Sequence, residues 1–223
     1  MSFRPVHNDF IDIHTHQTET REAVFSIRNI FLTDYPEVPE NEVFSIGLHP
    51  WHLSSLPEGS ILDLLHKAAE HPCLIAIGET GLDKAIKTST EIQENFFRLH
   101  VKVSEEFKKP IIIHCVKAFN ELILLKRNLS PSSPWIIHGY HGSEQLTGSL
   151  IKEGFYISVN EWILKNPEAG KKMLNMIPVN RLFLETDEYT SHISGLYHFT
   201  AECYNTNLQN FKTEIFNNFM YVF

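Results

Sequence analysis

The sequence has little of what would stabilise a small extracellular fold or carry a chain through a membrane. Its only cysteines are Cys73, Cys115 and Cys203, without a CxxC pair, which argues against a disulfide framework or a thiolate zinc site and favours a reduced, intracellular setting. No apolar run approaches the roughly 18 residues that indicate a membrane-spanning helix, and the first nine residues lack the apolar segment of a signal peptide. We therefore expect a cytoplasmic protein without membrane association.

Positive charge is also scarce. The 19 lysines and arginines are outnumbered by 27 acidic residues, which gives a formal net charge of −8. Binding to nucleic acid through a global positive field is therefore disfavoured, whereas local phosphate contacts, above all through a metal ion, are still compatible with the charge. With 43% apolar residues in 223, the chain is not disordered. Its length predicts a single domain over residues 1–223.

Short apolar runs rich in branched residues recur along the chain and predict eight strands. We place them at Phe10–His14, Val24–Ile30, Val43–Leu48, Cys73–Gly78, Pro110–His114, Trp135–His138, Phe155–Val159 and Arg181–Glu185. Segments with helical periodicity alternate with these runs. They lie at Ile61–Glu70, Thr90–Phe107, Ala118–Asn128, Glu144–Lys152 and Pro167–Met176, with further helices from about Tyr197.

This alternation predicts an α/β fold, a small (β/α)8 TIM barrel. Residues 31–41 contain Pro36 and Pro39 and cannot hold a helix of ordinary length. We therefore expect a loop between the second and third strands, and a partly irregular barrel.

Polar residues directly follow five of the apolar strand runs. In a parallel barrel the carboxyl ends of all strands open on one face, so strands far apart in sequence would deliver four histidines and two carboxylates to one mouth. These candidate ligands are His14, His16, His114, His138, Glu79 and Asp187. Asp12, His14 and His16 are alternate residues along the chain, so in an extended strand their side chains point to the same face.

Histidine and carboxylate ligands suit divalent cations such as Zn²⁺, Mn²⁺ or Mg²⁺. Six ligand groups exceed what one tetrahedral ion needs, so we expect two ions bridged by Glu79. A water molecule between two cations loses its proton near neutral pH, and the ions can stabilise the attacking and leaving oxygens of a phosphodiester. A single histidine of this kind is more often a buried core residue, and it is the repetition at strand ends that favours a metal site.

Two loops allow alternative interpretations. His49 and Trp51, after the third strand, either contact substrate and stack on a base or pack their own loop. The dipeptide Gly142-Ser143 either offers backbone N–H groups to a phosphate or caps the helix that follows it. His141 lies three residues beyond His138.

Six motifs in order resemble the TatD family of metal-dependent deoxyribonucleases, among the amidohydrolase-like barrels. They are DxHxH from Asp12, GxHP from Gly47, GETGLD from Gly78, IIIH ending at His114, IIH ending at His138, and LETD ending at Asp187. The resemblance spans nearly the whole chain, from Phe10 to Phe223.

The resemblance implies a ligand set and roles. His14, His16, Glu79 and Asp187 would surround one ion, and Glu79, His114 and His138 would hold the second. Asp187 and Glu79 would be catalytic, with Asp187 orienting or deprotonating the attacking water, and His49 would lie on the substrate side. The family further implies hydrolysis of phosphodiester bonds in DNA, in the cytoplasm.

The chain departs from the family near the substrate. An arginine that the family often has two positions after His114 is absent, and Val116 is followed by Lys117. Either Lys117 or His141 is expected to contact substrate in its place. Hydrolysis of a small-molecule ester or amide, and a non-catalytic metal-binding role, are the alternatives to DNA cleavage. No obligate protein partner is inferred.

Overall fold

The computed structural model describes residues 4–19 and 21–223, except for the side chain of Glu58. The chain divides into two compact units. The first unit comprises residues 4–28 and 138–223, and the second unit comprises residues 29–137. The single domain over residues 1–223 stays a prediction, and residues 1–3 and Thr20 lie outside the described residues. None of the helices in the described part is both long and apolar enough to cross a membrane.

Eight strands in the described residues form one sheet in chain order. They are β1 (Phe10–Thr15), β2 (Val24–Phe31), β3 (Phe44–Gly47), β4 (Leu74–Asp83), β5 (Ile111–Val116), β6 (Trp135–Ile137), β7 (Tyr156–Val159) and β8 (Leu182–Leu184). The pairs β1–β2, β3–β4, β4–β5, β5–β6 and β7–β8 are parallel. The end of β8 lies beside β1 through a parallel bridge between Thr15 and Asp187. The predicted (β/α)8 barrel is confirmed.

Helices follow β3 and every later strand. They are α1 (Glu58–Ala69), α2 (Thr90–Phe107), α3 (Phe119–Leu129), α4 (Glu144–Lys152), α5 (Trp162–Lys165), α6 (Pro167–Leu174), α7 (Ser194–Cys203) and α8 (Leu208–Val222). The segment between β2 and β3, described throughout, contains a 3-10 helix at Leu32–Asp34 and otherwise turns and coil. The predicted loop there is confirmed.

Strand β4 is longer than the sequence predicts. The expected strand Cys73–Gly78 ends where two glycines suggest a turn, whereas the observed strand continues to Asp83. The ladder to β5 shifts register between Ile77 and Thr80. This bulge gives β4 one extra residue there, and bulges of this kind redirect side chains. Glu79 therefore lies inside β4, at the bulge.

Hydrogen bonds from helices fix the strand ends within each unit. In the first unit, Tyr197 on α7 is fully buried, and its hydroxyl accepts from Ile11 N at 2.8 Å and donates to Ile11 O at 3.0 Å. In the second unit, Gln93 on α2 accepts from Asp83 N at 2.6 Å and donates to Asp83 O at 2.9 Å. Such paired bonds satisfy backbone groups that would otherwise be buried without partners. The backbone next to the candidate ligands is therefore held rigidly.

Candidate metal centre

Four of the predicted ligands lie in the first unit. His14, at the end of β1, is fully buried, and its Nε2 is 3.8 Å from Asp187 Oδ1. His16 Nε2 lies 3.7 Å from the same oxygen. The imidazole rings of His14 and His138 are 4.4 Å apart. One ligand atom each from His14, His138 and Asp187 lie within 4.8 Å of one another.

The main chain of Asp187 fixes this cluster. Asp187 N donates to His14 O at 2.9 Å, and His16 N donates to Asp187 O at 3.0 Å. Asp187 adopts a left-handed backbone conformation with φ of +55°, which is uncommon for residues other than glycine and often marks a functional site. The backbone of β1 therefore sets the position of the Asp187 carboxylate.

His138 is oriented by a buried carboxylate. His138 Nδ1 lies 3.3 Å from Glu185 Oε1, which also accepts from Gly139 N at 2.6 Å. Because a carboxylate only accepts, Nδ1 carries the proton and Nε2 presents a lone pair, as in carboxylate–histidine–metal sites. Burial raises the pKa of Glu185, but the hydrogen bond from His138 and the electrostatic interactions with His138 and His14 outweigh burial and hold that pKa below its usual range.

A second buried carboxyl group supports the same loop. Asp12 Oδ2 accepts from Thr186 Oγ1 at 2.6 Å, and Oδ1 accepts from Thr186 N at 3.0 Å. Burial raises the pKa of Asp12 to about 7, although the bonds from Thr186 oppose the change. Asp12 thus connects β1 to the residue before Asp187.

The second unit contains a separate cluster around Glu79. His49 Nε2 and His114 Nδ1 each lie 3.1 Å from Glu79 Oε1, and the three residues have ligand atoms within 4.8 Å of one another. Glu79 N donates to Asn29 Oδ1 at 2.8 Å. The glycine before it, Gly78, has φ of +126°, and a Cβ there would lie 2.3 Å from Ile112 O, so only glycine allows β4 to approach β5 this closely.

A further carboxylate contacts His114. Asp83 Oδ2 lies 3.4 Å from His114 Nε2 and accepts from Trp51 Nε1 at 2.8 Å. Burial raises the pKa of Asp83, but hydrogen bonds from Trp51, Ala85 and His114 outweigh burial and lower that pKa. Both ring nitrogens of His114 therefore face carboxylate oxygens.

This arrangement fits a divalent cation. A neutral imidazole has one N–H group, so it cannot donate to Glu79 and to Asp83 at once. A second proton or a cation is needed between His114 and one of these carboxylates. Imidazole nitrogens and carboxylate oxygens are also the ligands that Zn²⁺ and Mn²⁺ accept. The donor set of each unit therefore suits such an ion.

His49 differs from His138 in the partner of its Nδ1 atom. His49 Nδ1 accepts from Trp51 N at 3.2 Å. Because a backbone N–H can only donate, the proton of a neutral His49 lies on Nε2, which faces Glu79. An N–H group contacts anionic oxygens, whereas a metal ligand needs a lone pair. This geometry supports the predicted position of His49 on the substrate side.

The other predicted substrate contacts lie on exposed loops. Lys117 directly follows β5, is exposed, and has φ of +54°. His141 Nδ1 lies 3.0 Å from Gly139 O, and its ring is 5.2 Å from that of Trp162. Their contact with substrate stays a prediction. Ser143 caps α4, because its side chain accepts from Leu146 N at 3.3 Å. Of the two interpretations of Gly142-Ser143, phosphate contact or helix cap, this bond favours the cap.

Sequence reasoning assigned no role to Glu185 or Asp83. Both lie inside quoted motifs, LETD and GETGLD, and both are almost fully buried. A carboxylate within an apolar strand run indicates a specific polar contact, because a buried charge needs a partner. Which partner it finds depends on neighbouring strands, and that information is absent from the local sequence.

The sequence is similar to those of known metal-dependent hydrolases and nucleases. Residues 25–195 match the family described as TatD related DNase. An uncharacterised metal-dependent hydrolase from Buchnera aphidicola is 34% identical over 152 residues, covering 65% of this chain and 58% of that protein. A 3'-5' ssDNA/RNA exonuclease TatD from Erwinia tasmaniensis is 31% identical over 145 residues, covering 63% of this chain and 56% of that protein. Each of these matches spans less than two thirds of the relative's length.

Solved structures agree on the fold. A TatD homologue, YJJV from Escherichia coli, superimposes with a TM-score of 0.81 at 18% identity, covering 98% of this chain and 99% of that one. At this identity the likeness establishes the fold, a (β/α)8 barrel.

Proposed function

Because the chain belongs to the family of TatD-related DNases, we propose that it is a metal-dependent hydrolase that cleaves phosphodiester bonds in nucleic acid. The observation that carries this proposal is that histidine and carboxylate groups meet in both units. Ligand atoms of His14, His138 and Asp187 lie within 4.8 Å of one another in the first unit, and His114 Nδ1 lies 3.1 Å from Glu79 Oε1 in the second. His138 adds a carboxylate at Nδ1, the partner typical of a metal-bound histidine.

We propose the predicted ligand set for two ions, Zn²⁺, Mn²⁺ or Mg²⁺. It comprises His14, His16, Glu79 and Asp187 for one ion, and Glu79, His114 and His138 for the other. The barrel fold supports it, because the carboxyl ends of parallel barrel strands open on one face. Divalent cations held there supply the acidity that makes water a nucleophile at neutral pH and stabilise charge on phosphate oxygens.

The chain's own groups have distinct tasks. The Asp187 carboxylate, fixed by the β1 backbone, orients the attacking water and accepts its proton. The His49 Nε2–H group donates to a phosphate oxygen. Glu185 keeps the proton on Nδ1 of His138. Lys117 or His141 supplies a further contact to substrate.

The substrate proposed is DNA. The Erwinia tasmaniensis relative is named as an exonuclease of both ssDNA and RNA, so RNA is the natural comparator. The cytoplasmic setting and the lack of an obligate protein partner stay predictions.

The test uses the full chain, stripped with EDTA and reloaded with Zn²⁺, Mn²⁺ or Mg²⁺. We expect a 5′-labelled single-stranded DNA oligonucleotide to be cleaved only by the reloaded protein. Elemental analysis should find at least one ion per chain. A parallel panel of p-nitrophenyl esters and a lactone tests the small-molecule alternative.

Two results would overturn the proposal. Cleavage of the esters or the lactone without cleavage of DNA or RNA would indicate a small-molecule hydrolase. Stable metal binding with no turnover on any substrate would indicate a non-catalytic relative.

A further inference from the structure

Trp51 is a large aromatic side chain left on the surface of the second unit. It lies in a 3-10 helix, Pro50–His52, after β3, and its side chain is 62% exposed. An indole offers one of the largest apolar areas of any side chain, and burial of that area is favourable. A residue that packs its own loop would be buried. The exposure of Trp51 therefore needs another explanation.

The exposed ring is held in one orientation. Its Nε1 donates to Asp83 Oδ2 at 2.8 Å, and Asp83 is itself buried. Asp83 Oδ1 accepts from Ala85 N at 2.7 Å, and Asp83 N donates to Gln93 at 2.6 Å. Hydrogen bonds of its side chain and its backbone thus fix Asp83, which in turn holds the indole. A ring fixed in advance loses little conformational entropy when it binds a partner.

The ring lies beside the Glu79 cluster. Its centroid is 4.8 Å from the His49 ring and 6.0 Å from the His114 ring. His49 directs an N–H group to anionic oxygens, and His114 is a proposed metal ligand. A phosphate that accepts from His49 beside His114 would have its own nucleoside next to the indole.

The chemistry of the ring selects a flat aromatic ligand. Nucleobases stack on aromatic side chains with little regard to sequence, because every base has a π face. The chain carries a net charge of −8, so long-range attraction of phosphates contributes little to its affinity. Stacking provides affinity that does not depend on charge.

We propose that Trp51 stacks on the nucleobase adjoining the cleaved phosphodiester and makes the site selective for base-bearing substrates. The proposal rests on the nuclease function proposed above. It makes Trp51 a specificity-determining residue that contacts substrate. Asp83 is then a positioning residue, which acts through the indole.

The experiment compares two variants on two oligonucleotides. Trp51→Ala removes the ring, whereas Trp51→Phe keeps a smaller aromatic ring and removes the N–H bond to Asp83. One oligonucleotide is an ordinary single strand. The other carries base-free tetrahydrofuran residues at the cleaved end, with the same phosphates.

We expect Trp51→Ala to lower kcat/KM on the ordinary strand roughly 5- to 150-fold, mainly through KM. Trp51→Phe should lie between the wild type and Trp51→Ala, because it keeps a ring that can stack but loses the bond that fixes the ring. On the base-free strand, the wild-type protein and Trp51→Ala should have the same kcat/KM, because no base is available to either.

A second readout does not need turnover. The chain has three tryptophans, so the emission of Trp51 is the difference between the wild-type and Trp51→Phe spectra. Thymidine monophosphate should quench this difference emission. Ribose 5-phosphate, which has a phosphate and no base, should not.

The outcomes separate the two proposals. Equal losses on both strands in Trp51→Ala would show that the indole only supports Asp83 and His114, and the stacking proposal would be wrong. No loss on either strand, or a change in sedimentation that reveals a protein-docking face, would also overturn it. If no nucleic acid is cleaved at all, the proposed function fails. Quenching by the nucleotide alone then decides whether Trp51 binds a base.

Discussion

At the residue scale, the histidines of the two clusters differ in the ring nitrogen that carries the proton. Glu185 accepts from Nδ1 of His138, which leaves Nε2 as a lone-pair donor to a metal. The backbone N–H of Trp51 donates to Nδ1 of His49, which leaves Nε2 as a proton donor to an anion. Two side chains of one type thus acquire opposite roles from a single hydrogen bond each.

Replacement of Glu79 by glutamine tests the proposed ligand set directly. The amide keeps the size of the side chain and removes the negative charge that His49 and His114 both face. We expect the bound metal to fall below wild-type content and turnover to fall by roughly 100-fold or more. Elemental analysis and the DNA assay measure these changes. Glu91→Gln, an exposed site on α2, is the matched control, and full turnover by Glu79→Gln would contradict the mechanism.

Replacement of Glu185 by glutamine tests the orientation of His138. The amide oxygen can still accept from Gly139 N, but the charge that fixes the His138 proton is lost. We expect metal affinity to fall about 10- to 100-fold, since partners of metal-bound histidines have effects of this size. Calorimetric titration of the EDTA-treated protein with Mn²⁺ measures it. Glu168→Gln, exposed on α6, should bind as the wild type does, and an unchanged affinity in Glu185→Gln would argue against this role.

At the element scale, the close approach of β4 and β5 is what brings Glu79 to His114. Gly81 pairs with His114 in the ladder, and its φ of +153° and the absence of a Cβ allow the contact. The two strands deliver a carboxylate and an imidazole to one place only because glycines lie between them.

We expect Gly81→Ala to disrupt this approach. A Cβ at Gly81 would lie 1.9 Å from His114 O, so the strands must separate. The free energy of unfolding should fall by roughly 3 kcal/mol or more, and metal affinity should fall with it. Urea denaturation and metal titration measure both. Gly59→Ala, on α1 with nothing near its Cβ, should instead stabilise by up to about 1 kcal/mol, and a Gly81→Ala variant of wild-type stability would contradict the argument.

The bounds of a helix were predictable where its apolar residues repeat at helical spacing over many residues. Helix α2 has the predicted bounds, Thr90–Phe107, because an apolar stripe runs along its whole length. Helix α5 has four residues, too few for a periodic signal. The far end of β4 was missed because its glycines predict a turn in isolation, whereas pairing with β5 keeps the backbone extended.

The positions of the candidate ligands were predictable for the same reason as the strands. His14, His114 and His138 each follow apolar runs, and this position is a local signal. Glu185 and Asp83 were not assigned, because their roles depend on imidazoles delivered by other strands. The role proposed for Trp51 also required the structure, since sequence alone left loop packing open.

At the scale of the whole molecule, the stability depends on pH through buried groups remote from the metal ligands. His100 on α2 is fully buried. Its Nε2 accepts from Leu48 N at 2.9 Å, and its Nδ1 lies 2.8 Å from Phe96 O. Burial lowers the pKa of His100 to about 4, although the bond to Phe96 opposes the change. The folded chain therefore holds this imidazole neutral.

The sign of the pH effect follows from this. In the unfolded chain the imidazole has a pKa of about 6.5 and takes up a proton that the folded chain excludes. The stabilisation from neutral His100 is complete above pH 6.5 and is lost as the pH falls towards 4, by up to about 3 kcal/mol.

The variant His100→Gln removes this titration and retains an acceptor for Leu48 N. We expect the difference in unfolding free energy between the wild type and the variant to shrink by up to about 3 kcal/mol from pH 7 to pH 4. Urea denaturation in EDTA, so that metal binding does not contribute, measures it. If the unfolding free energies of the wild type and His100→Gln changed equally between pH 7 and pH 4, His100 would not be the source of the pH dependence.

The hydrogen bonds that join Asp187 to His14 and His16 have a consequence for biosynthesis. A chain still attached to the ribosome presents both histidines early, but it lacks the aspartate until residue 187 has been added. The cluster of the first unit therefore forms only after residue 187 has emerged. The proposed metal ligands of this unit are complete only from that point, and a chain that stops before residue 187 lacks the cluster altogether.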